Sequence, residues 1–224
     1  IKLKNNPRVL GLGEMMNVPG VLGCSEDVMN KLDAFDNYII DGHSPMLSGN
    51  SLSAYKAAGI MTDHESASFN EAIEKLKLGL SILVREGSAA KNLEDIIRGV
   101  VDNSIDTNNM AFCTDDKHLS DVCKEGTIRC NIKKAIALGL SPISAYKMAT
   151  INAAKIYGLK HIGAVAPSYK ADLVILDDME NVSITEVYKD GILFEKLNFE
   201  QKLNCSEYLL NSVNYAPIKV SYLE

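Results

Sequence analysis

The chain has 224 residues, of which 46% are hydrophobic, 23% are charged and 6% are aromatic. This composition is that of an ordinary globular protein, so it excludes a disordered tail, a collagen, a coiled coil and a disulfide-stabilised miniprotein. Lysine and arginine number 23 against 29 aspartates and glutamates, which gives a formal net charge of −6. Because the chain is acidic and has no basic run, we expect no nucleic-acid partner, no membrane partner and a small-molecule substrate.

The five cysteines are scattered and form no CxxC pair, which is typical of free thiols in a reducing compartment, so we expect a cytoplasmic location. No apolar run reaches the roughly 18 residues that cross a bilayer, and the opening residues lack the apolar region of a signal peptide. The chain begins without methionine and moves directly into a strand-like segment. We therefore expect that residue 1 is not a translation start.

The first half of the chain alternates short apolar segments with amphipathic helices. The predicted strands are residues 9–13, 38–42, 59–62, 81–84 and 110–114. The predicted helices between them are residues 25–35, 51–58, 66–78 and 89–101. Brief apolar strands that begin roughly every 20 to 30 residues predict a parallel sheet covered by helices. At this level a doubly wound sheet and a (β/α)8 barrel are both possible.

The helix at 66–78 is predicted to be amphipathic, with Glu71, Glu74, Lys75 and Lys77 on its solvated face. Two longer helices are predicted at 124–139 and 142–157. From residue 171 the pattern changes. Residues 171–178 and 184–194 predict antiparallel strands, with a hairpin turn at 189–191.

A polar residue able to bind a metal or move a proton follows each of the five predicted strands. These residues are Glu14, His43, Asp63, His64, Glu65, Arg85, Glu86, Asp115 and Asp116. In a parallel barrel the carboxyl ends of the strands converge on one mouth, where such residues meet. Imidazoles mixed with carboxylates suit Mn²⁺, Fe²⁺ or Zn²⁺ better than a thiolate-seeking metal such as Cu⁺. Such a metal lowers the pKa of bound water towards ~7.

Five ordered segments of the chain resemble the adenine deaminases, which are members of the metal-dependent amidohydrolase superfamily. These segments are Gly11-Leu12-Gly13-Glu14-Met15-Met16-Asn17, Asp41-Gly42-His43, Thr62-Asp63-His64-Glu65, Arg85-Glu86-Gly87-Ser88 and Cys113-Thr114-Asp115-Asp116-Lys117-His118. Residues 148–154 and 162–167, which lead into 171–174, are similar too. The resemblance covers about residues 8 to 195, and the order of five motifs makes it specific. Ser168 departs from it, because we expect glycine there.

The resemblance implies an α/β fold with two parts. Residues 1–165 would form strands four to eight of a (β/α)8 (TIM) barrel of the amidohydrolase type, and residues 166–224 would form part of a small β-sandwich and a tail. The superfamily's opening His-x-His, on the first strand, has no counterpart in this sequence. We therefore expect a central piece of a longer enzyme that has no deaminase activity alone.

The resemblance also implies a binuclear site for divalent metals, with Mn²⁺ or Fe²⁺ favoured and Zn²⁺ also possible. Glu14 would bridge the two metals, and His43 and His64 would bind the second one. Asp115 would ligate metal and act as the base that activates the water. His64 and Glu65 are expected to take part in catalysis alongside Asp115.

Arg85, Glu86 and Ser88 are expected to line the purine pocket. The implied reaction is the hydrolytic deamination of adenine to hypoxanthine and ammonia by a metal-activated hydroxide, as part of purine salvage. We expect the enzyme to be a homo-oligomer.

Two other interpretations of the sequence stay open. The chain could belong to an amidohydrolase that acts on a cyclic amide or on a different amino-heterocycle, or it could be a noncatalytic metal-binding fragment that needs a companion chain. Single residues have modest alternatives as well. Asp63 and Asp116 could orient a ligand or cap a helix, and Arg85 and Glu86 could form a local ion pair.

Overall fold

The computed structural model describes residues 1–196 together with residues 207, 212 and 221. Strands β1 to β5 are Gly11–Met15, Ile39–Gly42, Thr62–Asp63, Ser81–Arg85 and Met110–Cys113. Helices α1 to α5 between them are Val18–Leu22, Glu26–Ala34, Gly49–Ala57, Phe69–Lys77 and Leu93–Asp102. Helices α6 to α9 are Leu119–Glu125, Ile128–Ala137, Pro142–Ala149 and Ile151–Ile156. Strands β6 to β8 are Leu173–Asp178, Ser183–Lys189 and Ile192–Leu193, and a 3₁₀ turn follows at Phe194–Lys196.

The first five strands are parallel. Strand β1 pairs with β2, and β3, β4 and β5 pair in that order. The Met61 N–H donates to the Ile40 carbonyl oxygen at 2.9 Å, which joins β2 to the segment that enters β3. The carboxyl ends of all five strands therefore lie at one edge, and the predicted α/β arrangement of parallel strands and covering helices is confirmed.

Gly42 brings strands β2 and β3 close together at this edge. A Cβ at position 42 would clash with the Thr62 carbonyl oxygen and meet the Ile60 side chain at 2.7 Å. The Gly42 N–H instead donates to the Thr62 hydroxyl at 3.1 Å. Because His43 and His64 follow these two strands, the approach that glycine permits also brings the two histidines together.

Apolar side chains from the helices form two cores against the strands. The core beside β1 and β2 contains Met15, Val21, Val28, Leu32, Phe35, Ile40, Tyr55 and Ile60. The core beside β4 and β5 is larger, and its buried members include Ile82, Val84, Leu93, Ile96, Ile97, Met110, Ile132 and Met148. Most of these residues lie in the predicted strands and helices, whereas Met15 and Val21 lie outside them.

Helix α4 departs from prediction at Lys75, which is fully buried and not part of a solvated face. Ala72, three residues earlier and hence on the same side of the helix, is buried too. The Lys75 ammonium forms an ion pair with the Asp63 carboxylate at 2.9 Å. The prediction of a solvated Lys75 was wrong because its partner, Asp63, lies in strand β3. Helical periodicity does not reveal a contact between a helix and a strand.

The two long helices predicted after residue 124 are interrupted. Gly126 ends α6 with a φ of 81°, a backbone conformation that glycine adopts readily, and α7 begins at Ile128. Thr150 separates α8 from α9, and its hydroxyl donates to the Tyr146 carbonyl oxygen at 2.6 Å. A threonine that bonds its own helix in this way competes with the helical pattern.

Strands β6, β7 and β8 form an antiparallel sheet, as predicted. Asp190 and Gly191 connect β7 to β8, and both have a positive φ, 52° and 78°. This two-residue loop is the type I′ turn that an Asp-Gly pair favours. Apart from residues 207, 212 and 221, the predicted tail beyond residue 196 lies outside the described residues.

Within the described part of the chain, no helix combines the length and the apolar character that a membrane span requires. Cys24, Cys113, Cys123 and Cys130 are free thiols. Cys205 lies outside the described residues.

Candidate metal centre

The predicted metal-binding residues lie at the carboxyl ends of the first parallel strands. Glu14 is the second-last residue of β1, His43 follows β2 directly and His64 follows β3 directly. Asp115 comes two residues after β5. The parallel topology therefore carries residues that are far apart in the sequence to one edge of the sheet.

The register of the β1–β2 ladder shifts beside Glu14. Leu12 pairs with Ile40 and Met15 pairs with Gly42, so three steps along β1 stand opposite two steps along β2. The extra residue on β1 leaves the ladder irregular where Glu14 stands. Bulges redirect side chains in this way and are common beside active sites.

Glu14, His43 and His64 form one compact group, in which a ligand atom from each lies within 4.8 Å of the others. One carboxylate oxygen of Glu14 is 3.2 Å from His43 Nδ1, and the other is 3.6 Å from His64 Nε2. The two imidazole rings stand edge to face, with their centroids 5.6 Å apart. Three good metal-binding groups thus converge from three successive strands.

Asp115 belongs to a second group, with Glu65 and His64. His64 Nε2 is 3.4 Å from a Glu65 carboxylate oxygen, so His64 is shared between the two groups. Asp115 has a φ of 49° in the left-handed region, which a residue with a Cβ adopts only at an energetic cost. Such strain is typical of functional sites.

Arg85 lies between two carboxylates of the second group. Its Nη1 donates to Asp115 at 2.6 Å and also to Glu65. Burial alone would lower the pKa of Arg85, but the hydrogen bonds to Glu65 and Asp115 outweigh burial and raise the pKa. The guanidinium therefore stays charged and offsets part of the negative charge of the site.

The donor set of the first group fits a divalent cation. His43 Nδ1 is buried and has no hydrogen bond, although it faces the Glu14 carboxylate at 3.2 Å and Glu65 at 3.7 Å. A buried polar atom without a hydrogen bond is rare in folded proteins. A cation bound between His43 Nδ1 and the Glu14 carboxylate would give this nitrogen atom a partner. Formally, the carboxylates of Glu14, Glu65 and Asp115 exceed the single charge of Arg85 by two, and Asp41 in the wall of the adjoining cavity adds a further negative charge. This excess of negative charge favours a divalent cation.

A cavity of about 170 Å³ opens beside these groups. Its walls are Glu14, Asp41, His64, Leu83, Cys113, Asp115 and Tyr157. Burial raises the pKa of the Cys113 thiol to about 12, so this group lines the cavity as a neutral thiol. The Tyr157 hydroxyl donates to Asp41 at 3.0 Å, and Thr62 donates to the same oxygen at 2.8 Å.

Asp63 connects the loops that carry His43 and His64. One of its oxygens accepts hydrogen bonds from the backbone and the hydroxyl of Ser44, and the other accepts from Glu65, Ser66 and Lys75. Burial alone would raise the pKa of Asp63, but the charge of Lys75 and these hydrogen bonds hold the pKa below its ordinary value. Asp63 thus connects the loops after β2 and β3, and both of its oxygens accept hydrogen bonds.

Two more buried polar side chains connect neighbouring strand ends. The Tyr55 hydroxyl donates to the Met15 carbonyl oxygen and accepts from the His43 N–H. Asn92 donates to the carbonyl oxygens of His64 and Ser66 and accepts from the Arg85 N–H at 2.7 Å. Neither residue was predicted from the sequence, because both bond backbone groups that lie far away in the chain, at the ends of the strands.

The remaining predicted site residues have partners outside the two groups. Glu86 is buried and forms an ion pair with Lys134 at 3.0 Å. The Ser88 hydroxyl donates to Asp121. Asp116 accepts a hydrogen bond from the Ala89 N–H at 3.0 Å and does not cap a helix. The structure does not test whether Glu86 and Ser88 contact a substrate, so those roles stay predictions.

Parallel β/α units whose strand ends gather imidazoles and carboxylates are typical of metal-binding α/β proteins, in which the active site lies at the carboxyl ends of the strands. Comparison with known proteins gives the family. The sequence profile of the amidohydrolase family matches residues 3–193, so the chain belongs to the amidohydrolase family. Membership in this family implies a divalent metal at the site.

Curated relatives in this family carry the name adenine deaminase. The chain is 48% identical to the adenine deaminase of Desulfitobacterium hafniense (strain Y51) over 222 residues, which are 98% of this chain and 38% of the relative. It is 44% identical to that of Petrotoga mobilis over 219 residues, which are 93% of this chain and 37% of the relative. The chain therefore spans a little over a third of the length of these relatives.

Solved structures with the same fold are more distant in sequence. A β-aspartyl dipeptidase from Fervidobacterium islandicum AW-1 has a TM-score of 0.65 at 18% identity, covering 88% of this chain and 62% of its own. The N-acetyl-D-glucosamine-6-phosphate deacetylase of Mycobacterium smegmatis has a TM-score of 0.61 at 17% identity, covering 83% of this chain and 55% of its own. At these identities the likeness shows the fold alone. Together with the family match over residues 3–193, it confirms the predicted part of a barrel of the amidohydrolase type.

Proposed function

We propose that this chain carries the metal-binding strand ends of an adenine deaminase. The enzyme hydrolyses adenine: the oxygen of water adds to the amino-bearing carbon, the carbon–nitrogen bond breaks, and hypoxanthine and ammonia form. The observation that carries the proposal is the convergence of Glu14, His43 and His64, with Asp115 beside them. Similarity to curated adenine deaminases over nearly the whole chain supports the choice of substrate.

Glu14, His43, His64 and Asp115 are the proposed metal ligands. Two donor groups that share His64 support a binuclear centre. Mn²⁺ or Fe²⁺ is the proposed metal, with Zn²⁺ as a further possibility, because nitrogen and carboxylate oxygen donors suit all three. When bound, such a metal lowers the pKa of water and makes a hydroxide nucleophile available near neutral pH.

Asp115 is proposed to take the proton from the attacking water and return it to the departing amino group. Its carboxylate is held at 2.6 Å by the Arg85 guanidinium, and its side chain is about one-third exposed towards the cavity. Glu65 is proposed to exchange a proton with the ring, since it shares the Arg85 guanidinium with Asp115 and belongs to the same donor group. General acid–base steps of this kind contribute typically 10²–10⁴-fold in rate.

Arg85, Glu86 and Ser88 are proposed to recognise the purine. Arg85 is supported by its position between two site carboxylates. For Glu86, support comes from one buried oxygen that lacks a hydrogen-bond partner. Ser88 lies in the loop after β4 and is bonded to Asp121, so its hydroxyl would have to exchange partners on binding.

Further proposals concern the organisation of the protein. Residues 1–165 would belong to the barrel and residues 166–224 to the β-sandwich with its tail. The change from helices to antiparallel strands between Ile156 and Leu173 supports this boundary. A cytoplasmic location, a role in purine salvage and a homo-oligomeric state complete the proposal.

Ammonia release tests the proposed reaction directly. The complete gene product that includes this chain is loaded with Mn²⁺ and supplied with adenine, a dihydropyrimidine or a hydantoin. We expect ammonia from adenine and no ring opening of the other two compounds. Ring opening without deamination would instead favour a cyclic-amide hydrolase. Failure of every substrate, with less than one metal bound per chain, would favour a noncatalytic fragment.

Site variants test the residues. His64→Ala and Asp115→Asn should lower kcat by at least ~10³-fold while the protein stays folded, because both change a proposed metal ligand and Asp115 is also the base. Asp102→Asn, an exposed carboxylate at the end of α5, is the matched control. Full activity in either site variant would contradict the residue assignment.

A further inference from the structure

Tyr55 lies in helix α3, outside the five segments that resemble the family. Its side chain is fully buried, and its ring is part of the apolar core that also holds Met15 and Ile40. A hydroxyl in apolar surroundings is costly unless it has hydrogen-bond partners. The partners of this hydroxyl therefore show what the residue stabilises.

Both partners of the Tyr55 hydroxyl are backbone groups at strand ends. The hydroxyl donates to the Met15 carbonyl oxygen at 2.6 Å and accepts from the His43 N–H at 3.0 Å. Met15 directly follows Glu14 in the chain. The Tyr55 oxygen thus connects the backbone of Met15, next to the candidate ligand Glu14, to the backbone of the candidate ligand His43.

The strand ladder does not fix this geometry alone. Pairing between β1 and β2 is regular at Leu12 and Ile40 but shifts by one residue before Met15 reaches Gly42. Glu14 stands in the shifted part, where a bulge leaves a residue without a direct partner. Beyond the Met15–Gly42 pair, the Tyr55 hydroxyl provides a second connection between the two strand ends, at Met15 and His43.

We propose that Tyr55 is a positioning residue of the metal centre: its hydroxyl holds the ends of β1 and β2 so that the Glu14 carboxylate and the His43 ring face one cation. The inference rests on the proposed metal site. Groups that orient metal ligands from behind typically contribute about 10- to 100-fold to metal affinity.

Tyr55→Phe isolates the hydroxyl, because phenylalanine keeps the ring in the core. Tyr146→Phe is the matched control, since the Tyr146 hydroxyl also donates to a backbone carbonyl, that of Met179, at 2.8 Å and away from the centre. Both variants lose one hydroxyl that bonds the backbone. Only the first should change the metal centre.

The experiment measures Mn²⁺ affinity, the visible absorption of the Co²⁺-loaded protein and hydrogen exchange at the His43 amide, in the complete gene product that includes this chain. Tyr55→Phe should raise the Kd for Mn²⁺ about 10-fold or more, alter the Co²⁺ spectrum and speed exchange at His43. Tyr146→Phe should leave all three unchanged. A folded Tyr55→Phe protein with wild-type affinity and spectrum would overturn the inference.

Two further results keep the inference separable from the proposed function. If the wild-type protein binds no Mn²⁺, the metal site itself is wrong and the inference is overturned with it. If Tyr55→Phe does not fold, wild-type protein with ¹³Cζ-labelled tyrosine is titrated with Zn²⁺. The Tyr55 signal should then shift with the same saturation as the His43 ring while the Tyr146 signal stays, and an unmoved Tyr55 signal would overturn the inference.

Discussion

Replacing Lys75 by methionine tests whether a buried ion pair supports the loops of the metal centre. Lys75 and Asp63 are both fully buried, and their charged atoms are 2.9 Å apart. The Lys75 ammonium also donates to the Ser44 carbonyl oxygen at 2.7 Å and to Glu71 at 2.8 Å. Methionine fills a similar volume but removes the charge and all three hydrogen bonds.

The loss of stability in Lys75→Met depends on the hydrogen bonds that Asp63 retains without the lysine. At 2.9 Å and an effective dielectric constant of about 20, the direct attraction is about 6 kcal/mol before the cost of desolvation. Breaking a buried pair from one side typically costs about 3–5 kcal/mol. Asp63 retains its hydrogen bonds from Ser44, Glu65 and Ser66, so we expect the lower end, about 3 kcal/mol. That lowers Tm by roughly 6 to 12 °C for a chain of this size.

Urea unfolding and calorimetry of the metal-free protein measure this loss. Lys77→Met, an exposed lysine on the same helix, is the matched control and should change the free energy of unfolding by less than about 0.5 kcal/mol. Adding Asp63→Asn to Lys75→Met should cost less than the sum of the single changes, because the two residues share one interaction. A loss at Lys75 no larger than the control would refute the argument.

The same pair predicts a dependence on pH. The folded pKa of Asp63 lies below its ordinary value of 3.8. The contribution of Asp63 to the free energy of unfolding is therefore present above pH 3.8 and is lost as the pH falls through the folded pKa. Without Lys75, the largest influence that lowers the pKa is lost, so the Asp63 carboxyl takes up its proton at a higher pH than in the wild type. The stability difference between wild type and Lys75→Met should therefore narrow as the pH falls from the Asp63 pKa of the variant to the lower Asp63 pKa of the wild type. A difference that widens over this fall in pH would contradict the argument.

Three further changes test the fold around the site, each by urea unfolding. Gly42→Ala should cost about 2–3 kcal/mol because its Cβ meets the neighbouring strand. Gly13→Ala, in a strand and with open space at its Cβ, should be neutral or stabilise by less than about 1 kcal/mol. Asn92→Ala should cost about 3 kcal/mol, since it leaves buried backbone groups without partners; an unchanged midpoint would contradict this. Ser168→Gly should stabilise by about 0.5–1 kcal/mol, because Ser168 is exposed with a φ of 66°, and destabilisation would argue against strain there.

Local pattern was enough to predict much of the fold. Buried parallel strands appear as short apolar runs because both of their faces are covered, and polar residues after them stand out against that background. The Asp190-Gly191 turn was predictable because few pairs adopt two positive φ values. In these segments the sequence neighbours of a residue determine its conformation.

Contacts between distant segments were not predictable in the same way. Helical spacing assigned Lys75 to the solvent, yet Asp63 on a neighbouring strand keeps it buried. Tyr55 and Asn92 give no sequence signal, because they bond backbone atoms that every residue has. The resemblance to a family pointed to the proposed metal ligands, whereas Tyr55 and Asn92, which bond the backbone beside them, emerged only from the structure.

Anomalous diffraction from a crystal grown with Mn²⁺ tests whether the proposed ligands bind a metal. We expect a manganese peak within about 2.3 Å of Glu14, His43 and His64 donor atoms, at the edge where β1, β2 and β3 end. Asp115 should lie at that peak or at a second one beside it. A peak elsewhere on the molecule, or well-ordered side chains with no peak at saturating Mn²⁺, would contradict the proposed metal centre.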